Sequence, residues 1–367
     1  MRHTITKTLY SSLYRMLHDK SYFIDPIYNV VDPRPVAEFA KSAARLGELN
    51  VAKKCFDWII SVQNKDGSWN EILTTEFSQE SCVATGVIGR MLLIGYELLH
   101  KKSYLRSALK AAKYIHTKEF LPGYYIKSYL HYSDVLNVNA TVATFLQKAY
   151  EITREKKFAK ARDRAIFNVI KYQFKDGAYP YASRINTYPY ENHLNFRDAH
   201  YHALTLYFLL LADPYLSNKF LSLSYKKSIA WLKDSYRFGK LDWSKDEHIF
   251  SIGVTGAYGY ALFCAEFAKD SILSEKIERH ISKIQRRDGL YNRYEKPTII
   301  ETVKSVMREV IDFDSIAPKN FGFATKLLRI RQKLSRNLKV RKKPQISVYY
   351  SAQILDCLTE INYVLNK

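Results

Sequence analysis

Two kinds of helical segment alternate along this chain. In the first kind apolar residues occupy nearly every position, as in residues 81–99, 134–152, 197–212, 253–268 and 347–365. In the second, apolar residues recur every three or four positions and Lys and Arg fill the rest, as in 36–62, 104–118, 158–172, 225–236 and 274–284. A helix that is apolar all round is buried, whereas an amphipathic one keeps a face in water. The alternation therefore predicts an all-α protein in which inner and outer helices pair as hairpins, about six of them, in a double-layered ring around a central pocket. Residues 1–35 stand before this pattern and read as an N-terminal extension; residues 36–367 read as one domain.

One phrase punctuates the pattern three times: Gln63-Asn-Lys-Asp-Gly-Ser-Trp69, Gln173-Phe-Lys-Asp-Gly-Ala-Tyr179 and Gln285-Arg-Arg-Asp-Gly-Leu-Tyr291, spaced by 110 and 112 residues. Each closes an amphipathic stretch. Glycine reaches the left-handed conformation that ends a helix, Asp tolerates the turn before it, and the aromatic can fold back on the turn. The phrase reads as a corner, and the interval between corners has room for two helical hairpins.

The composition, 47% hydrophobic in 367 residues, suits a large core. Charged residues cut the apolar runs: Arg90 and Glu97 interrupt 83–99, and 201–212 is short, so no membrane span is expected. The first twenty residues scatter charge among Leu and Tyr and show no secretory h-region, which points to the cytoplasm. Cys55, Cys82, Cys264 and Cys357 each sit in an apolar pattern without a Cys-x-x-Cys pair and read as reduced core residues. The formal charge of +21 favours polyanionic partners. Nine Lys or Arg and no acid lie in the stretch 326–343, from Lys326 to Lys343, a candidate contact with an anionic membrane surface at the inner face. Nucleic acid is not expected, because no helix-turn-helix, zinc-finger or RNP-like string accompanies the charge.

The corner phrase resembles the QW repeat of the prenyltransferase and terpenoid-cyclase α/α toroids. More closely, residues 134–143, the Tyr-Gln-x-x-Asp-Gly-x-Tyr-x-Tyr run at 172–181 and Asn195-Phe-Arg-Asp-Ala-His-Tyr-His202 are similar to toroid proteins of polysaccharide clusters, related to D-glucuronyl C5-epimerases and uronate lyases. The resemblance spans about residues 36–290. It implies an (α/α)6-type toroid that binds or modifies an acidic surface glycan or a lipid-linked oligosaccharide, with no cofactor. The Asp-x-Asp-Asp acid motif of terpenoid cyclases is replaced by Asn137-Val-Asn139-Ala, which leaves a cyclase as a second alternative, after a non-catalytic glycan-binding toroid.

Uronate chemistry needs a carboxylate neutralised and a C5 proton moved. The resemblance and the helix-start positions nominate His202, His200, Tyr201 and Asp198 as catalytic candidates, with Asn137, Asn139, Arg197, Tyr179, Tyr181, Tyr258 and Trp69 as substrate-binding candidates. Asp198 and His202 share a helix face but lack a third ligand, so no metal is expected. The 29 tyrosines include Tyr124, Tyr125, Tyr129, Tyr132, Tyr188, Tyr190 and Tyr349 near corners or helix starts, where they can serve as sugar platforms or pack a helical shell.

Overall fold

The computed structural model describes residues 1–74, 77–128, 134–183, 196–237, 239–243, 253–296, 303, 331 and 345–365. The stretch 326–343, apart from residue 331, and Tyr129, Tyr132, Tyr188 and Tyr190 lie outside the described residues.

Twelve α-helices occur among the described residues: α1 Arg2–Arg15, α2 Pro33–Arg45, α3 Leu49–Ser61, α4 Cys82–Leu99, α5 Lys102–Thr117, α6 Leu136–Thr153, α7 Lys156–Ile170, α8 Ala199–Ala212, α9 Lys219–Asp234, α10 Ala257–Phe267, α11 Ser271–Ile284 and α12 Val348–Glu360. A π-helical turn, Ile361–Leu365, continues the last of these. Six inner helices pack neighbour to neighbour in a closed circle, α2 to α4 to α6 to α8 to α10 to α12 and back to α2. Outside them α3, α5, α7, α9 and α11 each pack on the inner helix that precedes them. The sixth outer place, beside α12, is taken by α1. The fold is an all-α double ring of six helical pairs.

Two expectations from the pattern change here. The stretch 36–62, read as one amphipathic outer segment, divides at Gly47 (φ +86°) into an inner α2 and an outer α3. The charges that made α2 look solvated are buried and paired across the ring closure. Lys41 Nζ lies 2.5 Å from Asp356 Oδ1 and 2.7 Å from Glu360 Oε2, and Glu360 also takes Arg45 at 2.6 Å and Arg90 at 2.8 Å. The segment set apart as an N-terminal extension contributes Ile5, Leu9 and Leu13 of α1 to the same core.

Corners of two designs alternate around the ring. The three Asp-Gly phrases follow α3, α7 and α11. Two-stranded hairpins follow α1 (β1 Leu17–His18, β2 Tyr22–Phe23), α5 (β5 Glu119–Leu121, β6 Tyr124–Tyr125) and α9 (β7 Tyr236–Arg237, β8 Lys240–Leu241); one more, β3 Asn70–Thr74 with β4 Phe77–Glu80, extends the first Asp-Gly corner. In each phrase the glutamine amide donates to the glycine carbonyl (Gln63 to Gly67, 2.9 Å; Gln173 to Gly177, 2.9 Å; Gln285 to Gly289, 2.8 Å). The glycines have φ of +99°, +98° and +83° and press against the next outer helix, so a side chain there meets both strain and a clash. For Gly289 the next outer helix is α1, through Thr8 and Ser12, which places the N-terminus structurally in the ring.

Helix α4 is long and apolar enough to cross a membrane, but it is an inner helix, buried over most of its length. The four cysteines are buried and free, and burial pushes the Cys55 thiol up to about 12.

Candidate functional site

The repeat explains most of the conspicuous polar residues as scaffold. Ser81, Asp198 and Ser347 are N-caps of α4, α8 and α12. Four residues after each cap, Thr85 Oγ1, His202 Nδ1 and Ser351 Oγ accept the backbone N–H of Trp69, Tyr179 and Tyr291, each at 3.0 Å. His202 therefore holds a corner. Its other nitrogen lies 3.0 Å from the Ser228 carbonyl, and its ring stacks on Tyr179 and packs at a tilt against Trp231. Asn139 does the same for a hairpin corner, accepting from Tyr125 N (2.8 Å) while its amide donates to Asp134 Oδ1 and the Val135 carbonyl.

Of the other candidates, Trp69 is buried with Nε1 on the Ile59 carbonyl (2.9 Å), and the Tyr179 hydroxyl meets Ser224 Oγ at 2.7 Å. The Tyr258 hydroxyl donates to Glu295 Oε2 at 2.6 Å. Arg197 lies against Asp176 (2.8 Å) and over the Phe174 ring. None of these seven, His202, Asp198, Asn139, Trp69, Tyr179, Tyr258 and Arg197, lines the central cavity.

That cavity, about 530 Å³, opens at the N-terminal end of the inner ring. The second residue of five inner helices faces it: Arg34 of α2, Val83 of α4, Asn137 of α6, His200 of α8 and Tyr349 of α12. Helix N-termini carry partial positive charge and spare N–H groups, so this end suits oxygen-rich ligands. Tyr181, Tyr201 and Tyr350 add aromatic walls, and Asp25, Asp32, Glu71, Lys127, Arg293 and Gln353 complete the polar lining. The sequence candidates that meet here are Asn137, Tyr181, His200 and Tyr201.

The charges in this wall are held differently from one another. Asp32 caps α2, its Oδ1 accepting Arg34 N at 3.0 Å. Burial raises its carboxyl to about 7 despite that hydrogen bond. Glu71 is partly buried, which alone would raise it, but Lys127 Nζ at 3.0 Å leaves it below the usual carboxylate range. Arg34 donates to Glu38 Oε1 (2.9 Å) and to the Tyr260 hydroxyl (3.2 Å), and its guanidinium lies 5.1 Å from the Tyr349 ring centre. Arg293 donates to the Tyr28 hydroxyl and has no carboxylate partner among the described residues. Burial, and then Arg34, push His200 down to about 3, so its ring is neutral at pH 7. Burial holds the hydroxyls of Tyr201 and Tyr349 well above their usual value.

Four buried polar atoms of this lining, Asn137 Oδ1, His200 Nδ1, Gln353 Oε1 and Arg293 Nε, have no hydrogen-bond partner among the described residues. A buried polar group without a partner costs about 1–3 kcal/mol, and here they converge on one cavity, as the wall of a binding site does. Among the described residues no group of three His, Cys, Asp or Glu could hold a metal ion.

No family model matches the sequence, and no curated protein matches it either. Solved structures do match over nearly the whole chain. An alpha-amylase from Clostridium perfringens is 11% identical with a TM-score of 0.64, covering 98% of this chain and 97% of its own. A glycosidase variant in complex with glucose is 10% identical with a TM-score of 0.64, covering 98% and 96%. The Lin0763 protein from Listeria innocua is 12% identical with a TM-score of 0.63, covering 100% and 98%. At such identities the likeness defines the fold alone.

Proposed function

We propose that this protein processes a carbohydrate in the central cavity by acid–base catalysis between Asp32 and Glu71. One observation carries the proposal: a buried carboxylate and a partly buried one line one cavity with their ionisation pushed in opposite directions, Asp32 toward the acid form at neutral pH and Glu71 toward the carboxylate. Such divergence separates a proton donor from a proton acceptor, and a carboxyl pair of this kind suits cleavage of a glycosidic bond. Asp32 gives its proton to the leaving glycosidic oxygen as the bond to the anomeric carbon breaks. Water bonds to that carbon, and its proton passes to Glu71. Tyr181, Tyr201 and Tyr349 supply faces for the C–H surfaces of the sugar. Asn137, His200 and Gln353 offer hydrogen-bonding atoms for its hydroxyls. The names carried by two of the structural neighbours, an alpha-amylase and a glycosidase bound to glucose, support a carbohydrate substrate.

Epimerisation or β-elimination on an acidic glycan is a second reading, favoured by one observation: Arg293, without an acidic partner among the described residues, faces the same cavity as Asn137, His200 and Tyr201. A substrate carboxylate on Arg293 would bring a uronate into that group.

A panel of neutral and uronate-containing oligosaccharides, lipid-linked forms included, separates these readings when incubated with the protein in deuterated water. New saturated reducing ends, lost in Asp32→Asn and Glu71→Gln, support hydrolysis. Deuterium at C5 or the ultraviolet absorbance of an unsaturated uronate supports the second reading. Binding without any change of the sugar overturns both and leaves a glycan-binding toroid.

A further inference from the structure

The outer surface holds a feature unrelated to the cavity. Three contacts bring the C-terminal turns of α7 and the corner after it alongside residues 220–228 of α9: the Phe167 and Phe220 rings meet at 6.5 Å, Gln173 donates to the Ser224 carbonyl at 3.0 Å, and Gly177 presses on the Lys227 carbonyl. On this face Phe167, Phe220 and Leu223 are 53%, 63% and 56% exposed. Tyr215, at the turn that enters α9, is 91% exposed. Large apolar side chains usually leave water, and isolated exceptions mean little, but here two phenyl rings touch in the open and Leu223 lies one turn along from Phe220.

The exposed, unpaired charge around these side chains has one sign. Lys171 and Lys175 follow Phe167, and Lys219, Lys226 and Lys227 flank Phe220 and Leu223; all five are exposed and none forms an ion pair among the described residues. The acids nearby are occupied: Asp163 by Arg162 and Asp176 by Arg197. Unneutralised lysines around exposed aromatic and leucine side chains match a surface that is anionic outside and apolar just beneath, the headgroup and acyl layers of an acidic bilayer.

We infer that the α7–α9 face docks on an anionic lipid surface, with Phe167, Phe220 and Leu223 entering the acyl boundary and Lys171, Lys175, Lys219, Lys226 and Lys227 contacting headgroup phosphates.

Vesicle co-sedimentation tests the inference, with the full chain and vesicles of phosphatidylcholine alone or mixed with phosphatidylglycerol. Binding is expected only with phosphatidylglycerol and is lost at about 1 M salt, where the Debye length falls to about 3 Å. Phe167→Gln with Phe220→Gln, and separately Lys171→Glu with Lys227→Glu, should each weaken it at least about tenfold. The control Lys102→Glu with Lys113→Glu, on α5, should leave it within about twofold. The substitutions are on exposed side chains, and unchanged thermal unfolding confirms each fold. Absence of binding overturns the inference, as does equal weakening by the α5 control. So does a dimer in light scattering that the phenylalanine substitutions dissociate, which would make this face a contact between copies of the chain.

Discussion

The Tyr179 backbone N–H donates to His202 Nδ1 at 3.0 Å, the same bond that Trp69 makes to Thr85 and Tyr291 to Ser351. A histidine beside Asp198 in a run of aromatic residues invites a catalytic reading, and the repeat places it as the acceptor that locks a corner. His202→Ala should therefore lose about 2–4 kcal/mol of stability through the orphaned N–H and the cavity under Tyr179 and Trp231. His202→Thr, which copies the Thr85 arrangement, should recover about 1 kcal/mol of that loss. Urea unfolding of the two variants checks both values.

Burial lowers His202 to about 4 and His200 to about 3. The unfolded chain, with histidines near 6.5, takes up protons that the folded chain refuses, so the histidines' contribution to stability is complete above pH 6.5 and falls as the pH drops toward 4. His202 alone accounts for about 3 kcal/mol of this loss. Burial gives Asp32 the opposite sign: its raised value favours the folded state at low pH, and that contribution fades between about pH 4 and 7. Acidification from pH 7 to pH 5 should cost His202→Thr about 2 kcal/mol less than wild type, read from urea unfolding at the two pH values.

Gly177 and Gly239 share a positive φ but differ in their surroundings. A Cβ on Gly177 runs into the Lys227 carbonyl, while one on Gly239 meets nothing within 4 Å. Gly177→Ala should cost about 2 kcal/mol or more, from strain and displaced backbone, and Gly239→Ala about 1 kcal/mol from strain alone. Paired thermal melts distinguish the two costs.

The ring closes on charge. Glu360 is fully buried against Lys41, Arg45 and Arg90, and Lys41 is also held by Asp356. Glu360→Gln leaves buried cations short of an acceptor and should cost about 3–5 kcal/mol. A denaturant midpoint unchanged by this substitution would show that the closure does not depend on the cluster.

The helices, the double ring and the Asp-Gly corners were legible in the sequence because their signals are local: hydrophobic period, a glycine at positive φ, a glutamine four residues before it. The inner role of α2 was hidden, because the partners that neutralise Lys41 and Arg45 lie more than 300 residues away and leave no mark on the segment itself. The place of α1 beside α12 was hidden for the same reason. At the site, Asn137, His200 and Tyr201 were reachable from the helix starts and Tyr181 from the corner before it, whereas Asp32, Arg34, Glu71, Lys127 and Arg293 were missed. A signal existed for one of them and for Tyr349. Each side-chain cap of an inner helix is followed two residues later by a cavity residue: Asp32 by Arg34, Ser81 by Val83, Asp198 by His200 and Ser347 by Tyr349. Glu71, Lys127 and Arg293 reach the cavity from hairpins and loops, where no periodicity points to them.

The most direct measurement is turnover of the best substrate from the saccharide panel by wild type, Asp32→Asn and His202→Thr, each normalised to folded protein. With Asp32 as the acid, Asp32→Asn should fall about 10²–10⁴-fold, while His202→Thr should stay within about threefold of wild type once its lower stability is accounted for. Retained turnover in Asp32→Asn, with turnover abolished in folded His202→Thr, would contradict the assignment and return the chemistry to the corner at Tyr179.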